Sequence, residues 1–357
     1  MKSGFLEGDS YFLMSEFRKD PLTGRWVIVA EERGVKPYQF GEGWERESSF
    51  PCVFCPGREY CTPPETFSIR EKDTLPNEKG WRVRVVPNRF PALLPCEPVH
   101  HSIDGFYENM SGFGVHEVII ETPNHYLDLA DLPLSQIEEV LSVYQERIRK
   151  LGEDSRLRYC LIFKNQGEKA GASLPHAHSQ LIATPVIPKK VQEELTGAKE
   201  FYQKEGKCLF CSIIEEERKK ERLVEEEEKF IAFIPYAARF PYETWILPQR
   251  HSAFFSEMEK EELSNFAFIL KEVLLAIKAI LHDPAFNFIL HIAPYSRSLE
   301  NYVDYYHWHL EVLPSVAHVA GFEWGTGFYI NSVIPEKAAK VLRQFIKDKK
   351  LGEKFVY

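Results

Sequence analysis

The sequence predicts an α+β protein of two similar halves, each a set of strands built around one long amphipathic helix. Three paired features carry that expectation. CxxC occurs twice, at Cys52/Cys55 (PCVFCPG) and Cys208/Cys211 (KCLFCSI), and HxH occurs twice, at His176/His178 and His307/His309. Between each CxxC and its HxH lie two strand-like runs, a histidine, a helix-like run and a further strand. Six ordered correspondences make chance periodicity a poor account and a duplication an economical one. The expected units are 1–195 and 196–357.

Taken in order, Phe17 to Ala30 reads as a turn and a strand, since Asp20-Pro21 breaks, Gly24 turns and Trp26 to Ala30 extends. Arg33 and Lys36 follow in a loop. Trp81 to Val86 (WRVRVV) alternates as a strand and runs into Pro87-Asn88-Arg89-Phe90-Pro91. Gly114 to Glu121 is a second strand, ended by Thr122-Pro123-Asn124-His125. Ser135 to Leu151 carries Ile137, Val140, Leu141, Tyr144 and Ile148 at helical spacing, with Ser135 and Glu138 as a capping box. Arg158 to Lys164 is a strand leading to the first HxH. The second half repeats the series: Phe230 to Pro235, Arg239-Phe240-Pro241, Thr244 to Leu247, His251, a helix over Lys260 to His282 and a strand over Asn287 to His291. Glu215 to Glu228 is a charge run expected on a solvated helical face, and His100-His101 is expected in an exposed loop.

Composition bounds the function. With 44% hydrophobic and 27% charged residues over 357 positions the chain is globular, and a net charge of −9 argues against a duplex nucleic-acid partner. No apolar run approaches a membrane span, and Met1-Lys2-Ser3-Gly4 does not open a signal peptide, so a cytoplasmic protein without membrane partners is expected. In such a compartment CxxC reads as a metal or redox motif rather than a structural disulfide. Proline, glycine and lysine flank both pairs, which suits zinc.

Zinc takes four soft or borderline ligands in a tetrahedron. The first half offers Cys52, Cys55, His125 and His176; the second offers Cys208, Cys211, His251 and His307, with His291 a rival to His251. Four protein ligands close the sphere, so two structural zinc ions per chain are expected. Cys61 and Cys96 are unpaired in sequence, and Cys160, in an apolar run, reads as core.

With His176 committed to metal, His178 is left free after the loop Gly167 to Ser173, whose two glycines and hydroxyl suit an anion. An extended Leu174 to Leu181 turns both imidazoles to one face. Neutral imidazole is nucleophilic near pH 7 and attacks phosphorus, and Gln180, on the same face, can hold phosphoryl oxygens.

The motifs DPLTGRWVIVA, CVFC, NRFPAL, HEVIIETPNH, FKNQGEKAGASLPHAHSQ and GFEWGTGFYIN resemble the galactose-1-phosphate uridylyltransferase family of the histidine-triad superfamily, over nearly the whole chain. The resemblance implies two fused histidine-triad-like domains, each an antiparallel sheet with flanking helices, and a homodimer with one active site in each first half. It implies a ping-pong transfer in which His178 attacks the α-phosphorus of a nucleotide-sugar, and a second sugar 1-phosphate then takes the nucleotidyl group. The expected reaction moves UMP from UDP-glucose to galactose 1-phosphate. By resemblance Gln180 stabilises the nucleotidyl phosphate, Asn165 and Ser173 contact phosphate, and Asn88 contacts the nucleoside. Arg33 and Lys36 reach phosphate or sugar, while Phe322 and Glu323 fall where the dimer partner reaches the hexose.

The chain departs from the family pattern at three places. The usual HPHGQ is here His176-Ala177-His178-Ser179-Gln180, close to the branch that includes plant ADP-glucose phosphorylase; Ala317 and His318 stand where bacterial members often place a basic residue. Cys208/Cys211 takes the place of a carboxylate-and-histidine iron site and argues for zinc. An ADP-sugar phosphorylase or adenylyltransferase of the same fold is the alternative activity, with a hydrolase also open; a zinc-stabilised nucleotide-binding module without turnover is the alternative from another class. His309 mimics His178, but Leu310-Glu311 follow it, which reads as a vestigial pocket.

Overall fold

The computed structural model describes residues 51–95, 99–295, 301–316, 320–327 and 329–354, with two short strands at 16–19 and 26–29. Arg33, Lys36, Cys96, Ala317 and His318 lie outside the described residues.

A small antiparallel sheet joins β1 (Glu16–Lys19), β2 (Trp26–Val29), β5 (His101–Asp104) and β6 (Tyr107–Ser111) in the order β2-β1-β6-β5. The large sheet holds ten strands. The first half supplies β3 (Phe67–Arg70), β4 (Trp81–Pro87), β7 (Val115–Ile120), β8 (Tyr159–Gln166) and β9 (His178–Thr184). The second supplies β10 (Leu223–Glu226), β11 (Phe230–Phe233), β12 (Thr244–Pro248), β13 (Phe286–His291) and β14 (His309–Pro314). Their order is β10-β11-β12-β14-β13-β8-β9-β7-β4-β3, antiparallel throughout. Read outward from the centre, each half gives the same five-strand series, and the halves join edge to edge along β8 and β13. The repeat in the sequence is therefore a repeat in strand order, and the α+β expectation holds.

The two long helices sit together over this seam. Helix α1 (Leu134–Gly152) buries Ile137, Val140, Leu141, Tyr144 and Ile148, and α4 (Lys260–Ile280) buries Leu263, Phe266, Leu270, Val273, Leu274 and Ile277, the stripes that helical spacing predicts. They pack on each other and share one apolar core that runs across both halves. The remaining helices are α2 (Lys189–Glu205), α3 (Leu209–Glu217), α5 (Gly321–Thr326) and α6 (Pro335–Lys354), the last lying on α4 and β10. Among the described residues no helix is long and apolar enough to cross a membrane.

Local expectations fail where a stronger neighbour intervenes. Pro133, extended with its φ fixed by the ring, caps α1, so Ser135 falls inside the helix and makes no capping bond. The capping box occurs on α4 instead, between Glu259 and Glu262. The charge run is not one solvated helical face: it spans the end of α3, a turn and β10, with Glu217 and Arg222 buried as an ion pair at 2.7 Å. His101 is exposed but stands in β5, paired with Glu108. Cys160 is core as expected, and burial pushes its thiol up to about 12.

Candidate active site and metal centres

β9 begins at His178, so His176 lies in the bend before it rather than on an extended strand. The two imidazoles part there by hydrogen bonding, not by alternation. His176 Nε2–H donates to the Thr122 carbonyl (2.7 Å), which turns Nδ1 toward Cys52 and Cys55 Sγ, 3.7 Å from each. His178 does the reverse. Its Nδ1 lies 2.8 Å from the His176 carbonyl oxygen, which can only accept, so Nδ1 carries the proton and Nε2 keeps its lone pair.

His178 lines a cavity of about 660 Å³ together with Asn88, Asn165, Ser173 and Gln180, so five of the expected site residues converge on one space. β9 faces it with His178 and Gln180, and β8 with Phe163 and Asn165. The loop between them turns at Gly167 and Gly171, both with positive φ (80° and 87°), a conformation that suits glycine. Burial, and then the Lys164 charge, hold the His178 imidazole below its ordinary pKa, so it is neutral near pH 7. The cavity also takes in Phe54, Cys61, Arg89 and His116, which sequence reasoning missed. Phe322 and Glu323 do not line it; they lie on α5 with Phe322 half exposed.

The opposite face of β8 and β9 is a dry polar network beneath the nucleophile candidate. Lys164 and Glu121 are fully buried and paired at 2.7 Å, and Lys164 also donates to the His178 carbonyl (3.1 Å). Ser179 bridges Glu121 and the Tyr144 hydroxyl. None of this was legible as a site, because lysine and glutamate in strands read as surface until the register is known. Replacing Lys164 by Met strands the Glu121 charge. We expect a loss of about 3–5 kcal/mol in urea unfolding; an unchanged midpoint would mean that the Lys164–Glu121 pair does not hold the fold.

Two groups of four ligand atoms could hold a metal ion: Cys52, Cys55, His125 and His176, and Cys208, Cys211, His251 and His307, with the atoms in each group within 4.8 Å of one another. Both pairs of histidines were expected. In the second group Cys208 caps α3, which α2 precedes. His291 joins a third group with Glu194 and His309 and is no rival to His251.

His309 occupies the place in β14 that His178 has in β9, and it is buried among aromatic rings. Its ring is stacked on His291 (4.5 Å) and packed by Phe210 and Trp245 at 5.0 and 5.1 Å. Glu311 stands where Gln180 would be. Burial would raise its pKa, but the His291 and Arg239 charges hold it well below the usual carboxylate range. Both cavities that border the first metal group or His178 are lined by first-half residues alone.

Residues 7–188 match the N-terminal domain of galactose-1-phosphate uridyl transferase and residues 194–353 match its C-terminal domain. ADP-glucose phosphorylase of Arabidopsis thaliana is 37% identical over 345 residues, 95% of each chain. Galactose-1-phosphate uridylyltransferase of Thermotoga maritima is 34% identical, covering 93% of this chain and 98% of its own. Among solved structures, the Arabidopsis thaliana ADP-glucose phosphorylase with bound ADP-glucose superposes with a TM-score of 0.72 at 36% identity, covering 92% of this chain and 99% of its own. A uridylyltransferase superposes at 0.77 with 32% identity, covering 94% and 99%. With both domains matched in order and relatives aligned end to end, the chain belongs to the galactose-1-phosphate uridyl transferase family.

Proposed function

We propose that this chain is a UDP-glucose–hexose-1-phosphate uridylyltransferase that works through a covalent nucleotidyl-His178. The observation that carries it is the lone pair of His178 Nε2, fixed by the His176 carbonyl, on a cavity whose other polar side chains include Asn88, Asn165, Ser173 and Gln180. Nε2 attacks the α-phosphorus of UDP-glucose. An N–P bond forms, the bond from α-phosphorus to the bridging oxygen breaks, and glucose 1-phosphate leaves with the electron pair. The imidazole ring gains positive charge, which the carbonyl on Nδ1–H stabilises. An oxygen of galactose 1-phosphate then attacks phosphorus and the N–P bond breaks, restoring the neutral imidazole.

In this reading Gln180, Asn165 and Ser173 hold the phosphoryl oxygens and Asn88 the nucleoside. Arg33 and Lys36 would meet phosphate or sugar, and Phe322 with Glu323 would meet the hexose of a second copy in a homodimer. This reading takes the chain as two histidine-triad-like units, 1–195 and 196–357, in a protein of the cytoplasm, with α2 crossing between them.

Two zinc ions per chain complete the proposal. With Zn–S near 2.3 Å and Zn–N near 2.0–2.1 Å, a tetrahedron has S···N edges of about 3.6 Å. Cys52 to His176, Cys55 to His125 and His176, and Cys211 to His251 and His307 have S···N distances of 3.4–3.7 Å, and all ligand atoms of a group lie within 4.8 Å of one another. Each ligating histidine for which a second bond is seen donates Nε2–H to a carbonyl, His176 to Thr122, His251 to Val303 and His307 to Pro248, which presents Nδ1 to the metal. Burial, and then Cys52, push the Cys55 thiol up to about 11, so a cation is what would make it a thiolate. Held by four protein ligands, zinc there would cross-link the chain and serve structure rather than catalysis.

ADP-glucose as donor is the second reading, favoured by the 37% identity to the Arabidopsis thaliana enzyme. Intact mass after mixing with UDP-glucose or ADP-glucose, without acceptor, decides between them. We expect a uridylyl adduct mapping to His178. An adenylyl adduct alone would move the chain to the phosphorylase reading with its chemistry unchanged.

A further inference from the structure

We infer that His116 and Asn287 are positioning residues that fix which end of the cavity's two amides faces the ligand, making it a donor-lined site for a phosphoryl anion. The inference deepens the reading above, since it takes a phosphoryl group to be the occupant. A carboxamide has nearly equal ends: NH₂ attracts a phosphoryl oxygen, and C=O repels it. Gln180 and Asn165 both line the cavity, so their usefulness depends on their orientation.

Each amide is reached by a chain of hydrogen bonds that starts on a backbone group unable to reverse its role. The Ala92 N–H donates to His116 Nδ1 (3.1 Å), which leaves the proton of a neutral ring on Nε2. Nε2–H then donates to Gln180 Oε1 (2.9 Å). Asn88, whose Oδ1 accepts the Phe90 N–H (2.9 Å), sets its Nδ2 3.1 Å from His116 Nε2 and 3.4 Å from Gln180 Oε1, the oxygen being the partner that can accept. Gln180 Oε1 is thereby turned to His116, with Asn88 as a longer second contact, and the Gln180 NH₂ is left to the cavity. On the other wall, the Ala170 carbonyl accepts from Asn287 Nδ2 (2.8 Å), and the second proton of that nitrogen goes to Asn165 Oδ1 (2.8 Å). The β8–β13 register sets Asn287 directly opposite Asn165. The NH₂ of Asn165 is turned the other way, 3.7 Å from where a Cβ on cavity-lining Gly171 would sit.

A residue of the second half thus orients a phosphoryl ligand of the first. Amide polarity, unlike packing, can be inverted without changing size. His116→Gln keeps an N–H donor toward Gln180, while His116→Glu offers only acceptors and forces Gln180 to turn its NH₂ away from the cavity. Asn287→Asp does the same to Asn165, whereas Asn287→Ala merely releases it.

The test is the affinity for UMP and AMP by calorimetry and the rate of adduct formation, with the thermal midpoint taken alongside. We expect His116→Gln within a few-fold of the parent and His116→Glu down by about 10²-fold, the scale of one lost donor to a developing charge. We also expect Asn287→Asp below Asn287→Ala. If His116→Glu matches His116→Gln, or if every loss follows the thermal midpoint, the roles are packing and the inference is overturned. An intact protein that binds UMP or AMP but forms no adduct would refute the covalent reading, while the His116 ranking on nucleotide affinity still decides this one. An intact protein that binds neither nucleotide nor inorganic phosphate would overturn the inference outright.

Discussion

Replacing His178 by Asn is expected to remove the nucleotidyl adduct entirely and to lower turnover by about 10⁴-fold or more, the scale seen when an enzyme loses its nucleophile. Asn is the informative choice. Its side-chain N–H can donate to the His176 carbonyl as His178 Nδ1–H does, so the local geometry survives. What it lacks is a nucleophilic ring nitrogen to meet phosphorus. Calorimetry with UMP and AMP should then give affinities within a few-fold of the parent, separating binding from bond-making. An adduct that persists in the variant would move the nucleophile elsewhere. If the intact protein binds nucleotide but never forms an adduct, the chain is a binding module without turnover.

The second large effect is expected from the metal groups, and the two should differ in kind. Cys55→Ala should cut zinc from about two to about one per chain and lower the thermal midpoint by well over 10 °C, because a structural zinc ion contributes roughly 10–16 kcal/mol in small zinc domains against a net fold stability of about 5–15. It should also slow adduct formation at least about 10-fold, since His176 is both a proposed ligand and the residue whose carbonyl orients His178. Cys211→Ala should lose the other zinc and a similar amount of stability, yet keep adduct formation near the parental rate at temperatures where it is folded. Metal analysis, thermal denaturation and intact mass read the three quantities. A fully folded protein that purifies free of metal would sink the assignment.

How much was legible in the sequence follows from how each residue acts. Cys52, Cys55, Cys208 and Cys211 announce themselves because two thiols at that spacing have few other uses, and His176 and His178 because they stand beside a glycine-bearing loop. The stripes of α1 and α4 were legible because burial of one helical face is a local property. His116, Lys164, Glu121 and Asn287 were not, since each sits in a strand, or in the case of Glu121 directly after one, whose pattern says only which face it occupies. Lys164 meets Glu121 across 43 positions of sequence and Asn287 meets Asn165 across 122, and register alone decides such pairs. The capping box expected at Ser135 failed because Pro133 starts the helix earlier. The loop containing Arg33 and Lys36 lies outside the described residues, so their expected contacts are untouched by the geometry above.

The seam between β8 and β13 changes what the duplication means. In a pair of tethered domains the copy that stops catalysing is free to drift or be lost. Here the second half closes the sheet edge of the first: without β13, β8 would offer a bare row of backbone donors and acceptors to any passing strand. The wall of the active cavity that Asn165 occupies would lose its backing as well. The second half therefore serves the first as scaffolding, and a change in β13 can reach the cavity through that seam without lining it.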